Sequence, residues 1–261
     1  MAAGRALPQP AYVLHQWSWS ETSLILDLFT RGQGRLAVVA KGAKRPYSQL
    51  RPVLMPFQQV AVLLSRAKSD EGSDIQTLRS AEYAGGGWTL PPARLVTGFY
   101  LNELLLKLLV RADPYPRLFD AYADTLQALV LADDESPLRA FELMLLRECG
   151  VLPELSRNTA TQAPVLPGRA YVLKAEVGLA SAAQAKAGAA SLSGAVCLAC
   201  QAALDRDDLA GLRTACQAAL PALKLQLRAL LVYHLGAAPL RTRQLMLDVN
   251  RLLDVGPPVA R

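Results

Sequence analysis

The chain has 261 residues, 52% of them apolar and 19% charged, a composition that supports one large core or two smaller ones and excludes a disordered tail. Lysine and arginine number 28 against 22 aspartates and glutamates, and the formal net charge of +6 favours an anionic partner. The opening stretch MAAGRALPQPAYVLHQW lacks an apolar core of signal-peptide length, and no later segment reaches the ~18 uninterrupted apolar residues of a membrane helix.

The richest apolar run, Leu101 to Val110, is interrupted by Glu103 and Lys107. These features predict a cytoplasmic protein without membrane contact. Its four cysteines are then expected to be reduced thiols.

Residues 11 to about 83 read as strands. Tyr12 to Trp19 is rich in aromatic and β-branched types, and Ser23 to Thr30 sets Leu24, Leu26 and Leu28 against Ile25, Asp27 and Phe29. Arg31 to Gly34 makes a glycine-containing hairpin turn into Arg35 to Ala40. Gln58 to Ser65 and Ile75 to Glu82 supply two more strands, separated by the polar segment Arg66 to Asp74. Five short strands with almost no helix signal predict a small closed barrel, most economically of the oligonucleotide-binding (OB) type.

No acid occurs between Asp27 and Asp70, whereas Arg31, Arg35, Lys41, Lys44, Arg45, Arg51, Arg66 and Lys68 all do. A basic loop broken by Gly42 and Pro46 at the end of a strand can offer several cations to one polyanion. Tyr47 and Phe57 lie beside it, and Trp17, Trp19 and Phe29 precede it; aromatic platforms in a cationic groove hold single strands without sequence preference. The bland alternative is a solvated charged face.

Gly85 to Gly87 with Pro91 and Pro92 predict a linker over 85–92, between a barrel domain at 1–84 and a helical domain at 93–253. Beyond it the apolar period becomes ~3.6. Leu101, Leu104, Leu105 and Leu108 form one stripe, Phe119, Tyr122, Leu126 and Leu129 a second, and Leu138, Phe141 and Leu145 a third. Pro116 and Pro137 mark helix starts. A loop and short-strand insertion is expected near 154–190, with Ala170 to Leu173 strand-like. Helix resumes from Leu192, then over Leu209 to Leu220, Pro221 to Leu235 and Arg241 to Leu253, before a flexible tail at 254–261.

Few residues are suited to catalysis. Cys197 and Cys200 form a C-x-x-C without a second close pair, and each remaining cysteine fits an apolar stripe, so buried thiols are expected and no metal. His15 and His234 read as structural, and the cluster Asp133, Asp134, Glu135 precedes Pro137 as a helix N-terminus would. Neither a dinucleotide fingerprint, nor a P-loop, nor a Gly-x-Ser-x-Gly elbow is present, which argues against an enzyme and against a cofactor.

The order of several motifs resembles the bacterial RecO family of DNA repair proteins. They are ETSLILD at Glu21 to Asp27, Gly34-Arg35-Leu36, Val39 to Ala43, Pro56-Phe57 and Leu78 to Glu82. Tyr100 to Leu105, Leu118 to Tyr122, Phe141-Glu142-Leu143 with Gly150, and Pro239 to Arg243 continue the likeness over most of the chain. The resemblance implies an OB barrel joined to a helical domain, with no catalytic centre. It implies binding of single- and double-stranded DNA, strand annealing, and, with RecR, replacement of single-stranded DNA-binding protein (SSB) by the RecA recombinase.

The family's basic barrel loops map onto Lys41, Lys44 and Arg45, with Arg35 and Arg51 as neighbours, and Arg241 and Arg243 would extend the cationic surface. A docking site for the SSB tail in the helical domain draws on Arg111, Arg117, Arg139 and Arg147. The four-cysteine zinc site of some members is not carried over, because only one close pair exists here. The competing reading is a helical protein-interaction adaptor that makes no direct contact with DNA.

Overall fold

The computed structural model describes residues 7–65, 75–85, 89–184, 190–236 and 240–254. The segment 66–74 with Arg66 and Lys68, Gly86 and Gly87 of the glycine run, part of the alanine-rich stretch at 185–189, and the tail from 255 lie outside the described residues. By compactness the chain forms two units, Met1–Phe119 with Pro239–Arg261, and Asp120–Ala238. The Gly/Pro stretch separates strands from helices along the chain, whereas this division falls within a helix.

The first unit contains the expected barrel. β1 (Gln9–Ser18), β2 (Leu24–Thr30), β3 (Gly34–Ala40), β4 (Gln59–Ser65) and β5 (Gln76–Tyr83) close in the order β1-β2-β3-β5-β4. All pairs are antiparallel except β3 with β5. Alternation sends Leu26, Leu28, Leu36, Val38, Val60, Val62, Leu64 and Leu78 into one core, and closure leaves no long free edge to aggregate.

The turn from β2 to β3 shows why glycine stands at position 34. Thr30 pairs with Gly34, the Thr30 hydroxyl donates to the Gly34 carbonyl at 3.0 Å, and Gly34 has φ +67°. A Cβ there would lie 1.7 Å from the Asp113 carbonyl oxygen, so only glycine satisfies both the left-handed backbone and the close approach.

Helices complete this unit. The short α1 (Leu50–Val53) lies between β3 and β4, with Leu50, Val53 and Leu54 packed on the barrel core. β1 carries a bulge between Val13 and His15, and Asn102 of α2 (Leu95–Leu108) donates its Nδ2 to the Leu14 carbonyl at 3.0 Å. At the start of α3 (Pro116–Leu131), Phe119 packs on Tyr12 and Phe29, ring centroids 5.3 and 5.4 Å apart. The C-terminal α8 (Arg241–Asp254) is capped from α2: the amides of Arg241 and Thr242 and the Thr242 hydroxyl all donate to the Glu103 carboxylate at 2.6–2.9 Å.

The second unit is built around α4 (Ser136–Glu148), buried from Ser136 to Leu146. The remaining helices are α5 (Gly194–Asp205), α6 (Leu209–Gln217) and α7 (Leu220–Leu235), close to the expected spans. α5 begins with a Ser193 cap on the Val196 amide. A small sheet orders β6 (Ala170–Lys174) between β7 (Gly178–Ser181) and β8 (Leu192–Ser193). The sequence exposed only the first of these, because strands of four and two residues are too short to carry a period. Buried Gln226 on α7 locks the sheet by accepting from the Leu173 amide at 2.7 Å.

Candidate nucleic-acid interface

The basic loop begins where β3 ends. Gly42, at φ +73°, starts a chain of turns in which the Arg45 amide donates to the Gly42 carbonyl at 3.1 Å and the Ser48 amide to Arg45 at 3.0 Å. Between them Ala43 is buried in the barrel core. One small side chain thus pins the loop, and its neighbours Lys41, Lys44 and Arg45 stand outside.

The loop is also tied to the β1–β2 turn. The Lys44 amide donates to the Thr22 carbonyl at 3.0 Å, and its Nζ to the Ser20 carbonyl at 2.9 Å. This brings Lys44 to the turn that carries Trp19, 64% exposed, at the end of the barrel where β1 and β3 terminate. Lys41, Arg45, Tyr47 and Arg51 are all exposed, Tyr47 to 94%. Among the described residues no carboxylate forms an ion pair with Lys41, Lys44, Arg45 or Arg51, so their charge is not neutralised by an ion pair.

Other residues singled out in the sequence do not join this cluster. Arg35 is half-buried and donates Nη1 to the Leu106 carbonyl, so its guanidinium is engaged within the fold. Burial lowers its pKa from the ordinary value while nearby Asp27 works to raise it. Asp27 itself is 3% exposed, and burial pushes its carboxyl above the usual range against the pull of Arg35, Arg111 and His15. Phe29 and Phe57, considered as stacking platforms, are instead core: Phe29 packs on Phe119, and Phe57 on Phe99 with centroids 4.9 Å apart. Phe29 lies on the outer side of β2, where Phe119 covers it, and Phe57, at the turn after α1, is covered by Phe99.

Arg241 and Arg243 lie in the first turn of α8, where Glu103 takes the Arg241 amide and leaves the Arg241 side chain exposed. Burial works to raise the Glu103 carboxyl, but the hydrogen bonds from Thr242, Arg241 and Lys107 outweigh it and hold the pKa below its ordinary value.

The four arginines considered for an acidic tail are divided between the two units. Arg111 and Arg117 belong to the first unit, Arg139 and Arg147 to the second. Arg139 is buried inside α4, paired with fully buried Glu142 at 2.9 Å. Arg147 donates to the Leu204 carbonyl and contacts Asp207 at 3.3 Å. The available signal was Glu142 three residues after Arg139 in the otherwise apolar run Leu138 to Leu146, the spacing of a paired buried charge.

The cysteines are packed in the second unit. Cys197, Cys200 and Cys216 are buried, with the Cys200 and Cys216 thiols hydrogen-bonded to each other. Burial pushes Cys197 up to about 12 and half-buried Cys149 up to about 11, the condition of unreactive thiols. Among the described residues no three His, Cys, Asp or Glu side chains are grouped to hold a metal ion, and no helix is long and apolar enough to cross a membrane.

The family model described as Recombination protein O N terminal matches residues 6–86, and that described as Recombination protein O C terminal matches residues 92–244. A DNA repair protein RecO from Polaromonas naphthalenivorans (strain CJ2) is 48% identical over 256 residues, covering 97% of this chain and 100% of the relative. Relatives of the same description from Acidovorax ebreus (strain TPSY) and Delftia acidovorans (strain DSM 14801 / SPH-1) are 47% and 48% identical over 97% and 96% of the chain.

Proposed function

The chain belongs to the RecO family of bacterial DNA repair proteins, and from that premise we propose that it is a non-catalytic recombination mediator that binds DNA through the basic end of its barrel. It binds single and double strands, anneals complementary strands, and with RecR helps load RecA onto SSB-coated single strands. It does so in the cytoplasm, associated with the nucleoid during repair. The observation that carries this reading is the convergence of Lys41, Lys44 and Arg45 on an ordered loop anchored by Ala43 and by the Ser20 and Thr22 carbonyls.

A cation array of this kind neutralises phosphates and releases counterions, so affinity falls with log salt by roughly 0.7 per phosphate on single strands. Shielding of opposed backbones by one protein surface also favours pairing of complementary strands. Arg51 lies on α1, which follows the same loop, and Arg241 and Arg243 are a further cationic group of the first unit.

Lys44→Glu with Arg45→Glu is expected to weaken oligonucleotide binding and flatten the salt slope. Unchanged affinity and slope in a folded double variant would overturn the DNA-binding reading and favour the adaptor.

For the SSB tail, α7 offers a better surface than the arginines of α4. Leu225 and Val232 are about half exposed at helical spacing, and Val232 and Tyr233 line a groove of about 480 Å³ with Ala229, Val177, Ala175, Lys174 and Glu176. Arg228 is exposed on the same helix. An acidic, apolar tail matches apolar pockets with nearby cations. Fluorescent tail peptide is expected to lose affinity for Val232→Asp and Arg228→Glu, and equal binding by both variants would remove this surface.

A further inference from the structure

The hairpin of α5 and α6 brings two thiols into contact. Cys200 stands five residues before the end of α5 at Asp205, and Cys216 seven residues after the start of α6 at Leu209. At ~1.5 Å of rise per residue they lie ~8 and ~11 Å along their helices from the connecting turn, and so at nearly matching heights. The Asp208 amide closes that turn by donating to the Ala203 carbonyl at 2.9 Å, and the Asp208 carboxylate accepts from the Gly211 amide at 2.8 Å. The helices fold back on one another, and the Cys200 and Cys216 side chains meet in a hydrogen bond, both buried in the second unit.

The remaining cysteines set the contrast. Cys197, one turn earlier on α5, is buried, and Cys149 caps the end of α4 half-buried; burial is the first cause that holds both thiols protonated. Within the pair the hydrogen bond divides the roles. Cys216 donates and is held above the ordinary thiol value by that bond and by burial, with Cys200 and Glu142 adding to the rise and Arg139 opposing it. Cys200 accepts, and the bond holds it below the ordinary value against the effect of burial. A thiolate at Cys200 therefore has a second thiol already beside it, the arrangement of an attacking and a resolving cysteine.

We propose that Cys200 and Cys216 form a reversible disulfide when the protein meets hydrogen peroxide, and that the bond staples α5 to α6. The Cys200 sulfur attacks one peroxide oxygen and becomes a sulfenic acid as the O–O bond breaks, and the departing oxygen takes up the proton lost by Cys200 and leaves as water. The Cys216 sulfur then attacks that of Cys200, the S–O bond breaks, and the departing hydroxide leaves as a second water with the Cys216 proton. Two thiols lose two electrons and two protons, and one peroxide gains them. A thiol reductant restores both cysteines by exchange. Peroxide is small and uncharged, so local opening of the hairpin admits it without global unfolding. The bond closes a loop around residues 201–215, which restricts the unfolded chain and so stabilises the folded one.

The test uses the whole chain, reduced, freed of reductant and treated with hydrogen peroxide well below its melting temperature. It is then unfolded with its remaining thiols blocked and mapped by mass spectrometry without reduction. The expected result is a peptide linked through Cys200 and Cys216, an intact mass lower by about 2 Da before blocking, and Cys149 and Cys197 recovered as blocked thiols. Dithiothreitol is expected to return all four thiols, and the oxidised protein to melt several degrees higher than the reduced one. Folded Cys197→Ser is expected to form the same link, and folded Cys216→Ser to stop at a Cys200 sulfenic acid that dimedone traps. Four free thiols after treatment, a link through Cys197 or Cys149, absence of the link from folded Cys197→Ser, or a linked protein that melts no higher overturns the proposal. The wild-type map decides by itself where a variant does not fold.

Discussion

Asn102 illustrates how a single polar side chain holds the first unit together. The β1 bulge turns the Leu14 carbonyl out of the ladder, and a side chain 88 residues later takes its place as donor. Asn102→Leu leaves that carbonyl without the donor in a buried position and is expected to lower stability by about 1–3 kcal/mol, read as a lower urea midpoint with unchanged slope. Glu103, the next residue, acts on α8. Its depressed pKa means that the unfolded chain binds the proton more readily, so its contribution is complete above the unfolded value near 4.5 and is lost as pH falls through the folded value. Wild type is expected to lose stability over this acid range more steeply than Glu103→Gln, in melts followed from pH 6 downward. Arg139 is the counterpart in the second unit. Arg139→Ala leaves Glu142 charged in the core, with a loss of about 3–5 kcal/mol, whereas Arg139→Met with Glu142→Leu is expected to recover most of it.

At the scale of elements, two glycines serve the barrel for different reasons. Gly34 and Gly42 share a left-handed backbone, but a Cβ at Gly34 meets the Asp113 carbonyl at 1.7 Å, while at Gly42 its nearest neighbour is the flexible Arg45 side chain at 3.6 Å. Gly42→Ala is therefore expected to lose only about 1 kcal/mol of stability, and Gly34→Ala considerably more, as the difference in melting temperature will report. The basic loop was legible from its lack of acids, and its order comes from the burial of Ala43, which an alanine between two cations does not advertise. Trp17 and Tyr47 were legible as aromatic, and so were Phe29 and Phe57; burial alone separates the two exposed rings from the two core ones. Helices α2 to α4 were readable because three or more turns repeat an apolar stripe, whereas β7 and β8 depend on a partner strand to exist at all.

For the whole molecule, the sequence by itself determined the class of fold, the basic balance of the chain and the family. These follow from quantities that are local along the chain: the period of apolar residues, the spacing of turn residues, the acid-free run and the order of motifs. Tertiary structure decided which charges are available. Arg35 and Arg139 look no different in sequence from Arg45 and Arg111, yet the first two are engaged within the fold and the latter two are exposed. It also decided that Cys200 and Cys216 meet, since the return of α6 along α5 brings them together. The physical reason is that burial and long-range pairing depend on residues far apart in the chain, and a desolvated charge differs from a solvated one only by what the rest of the fold puts around it.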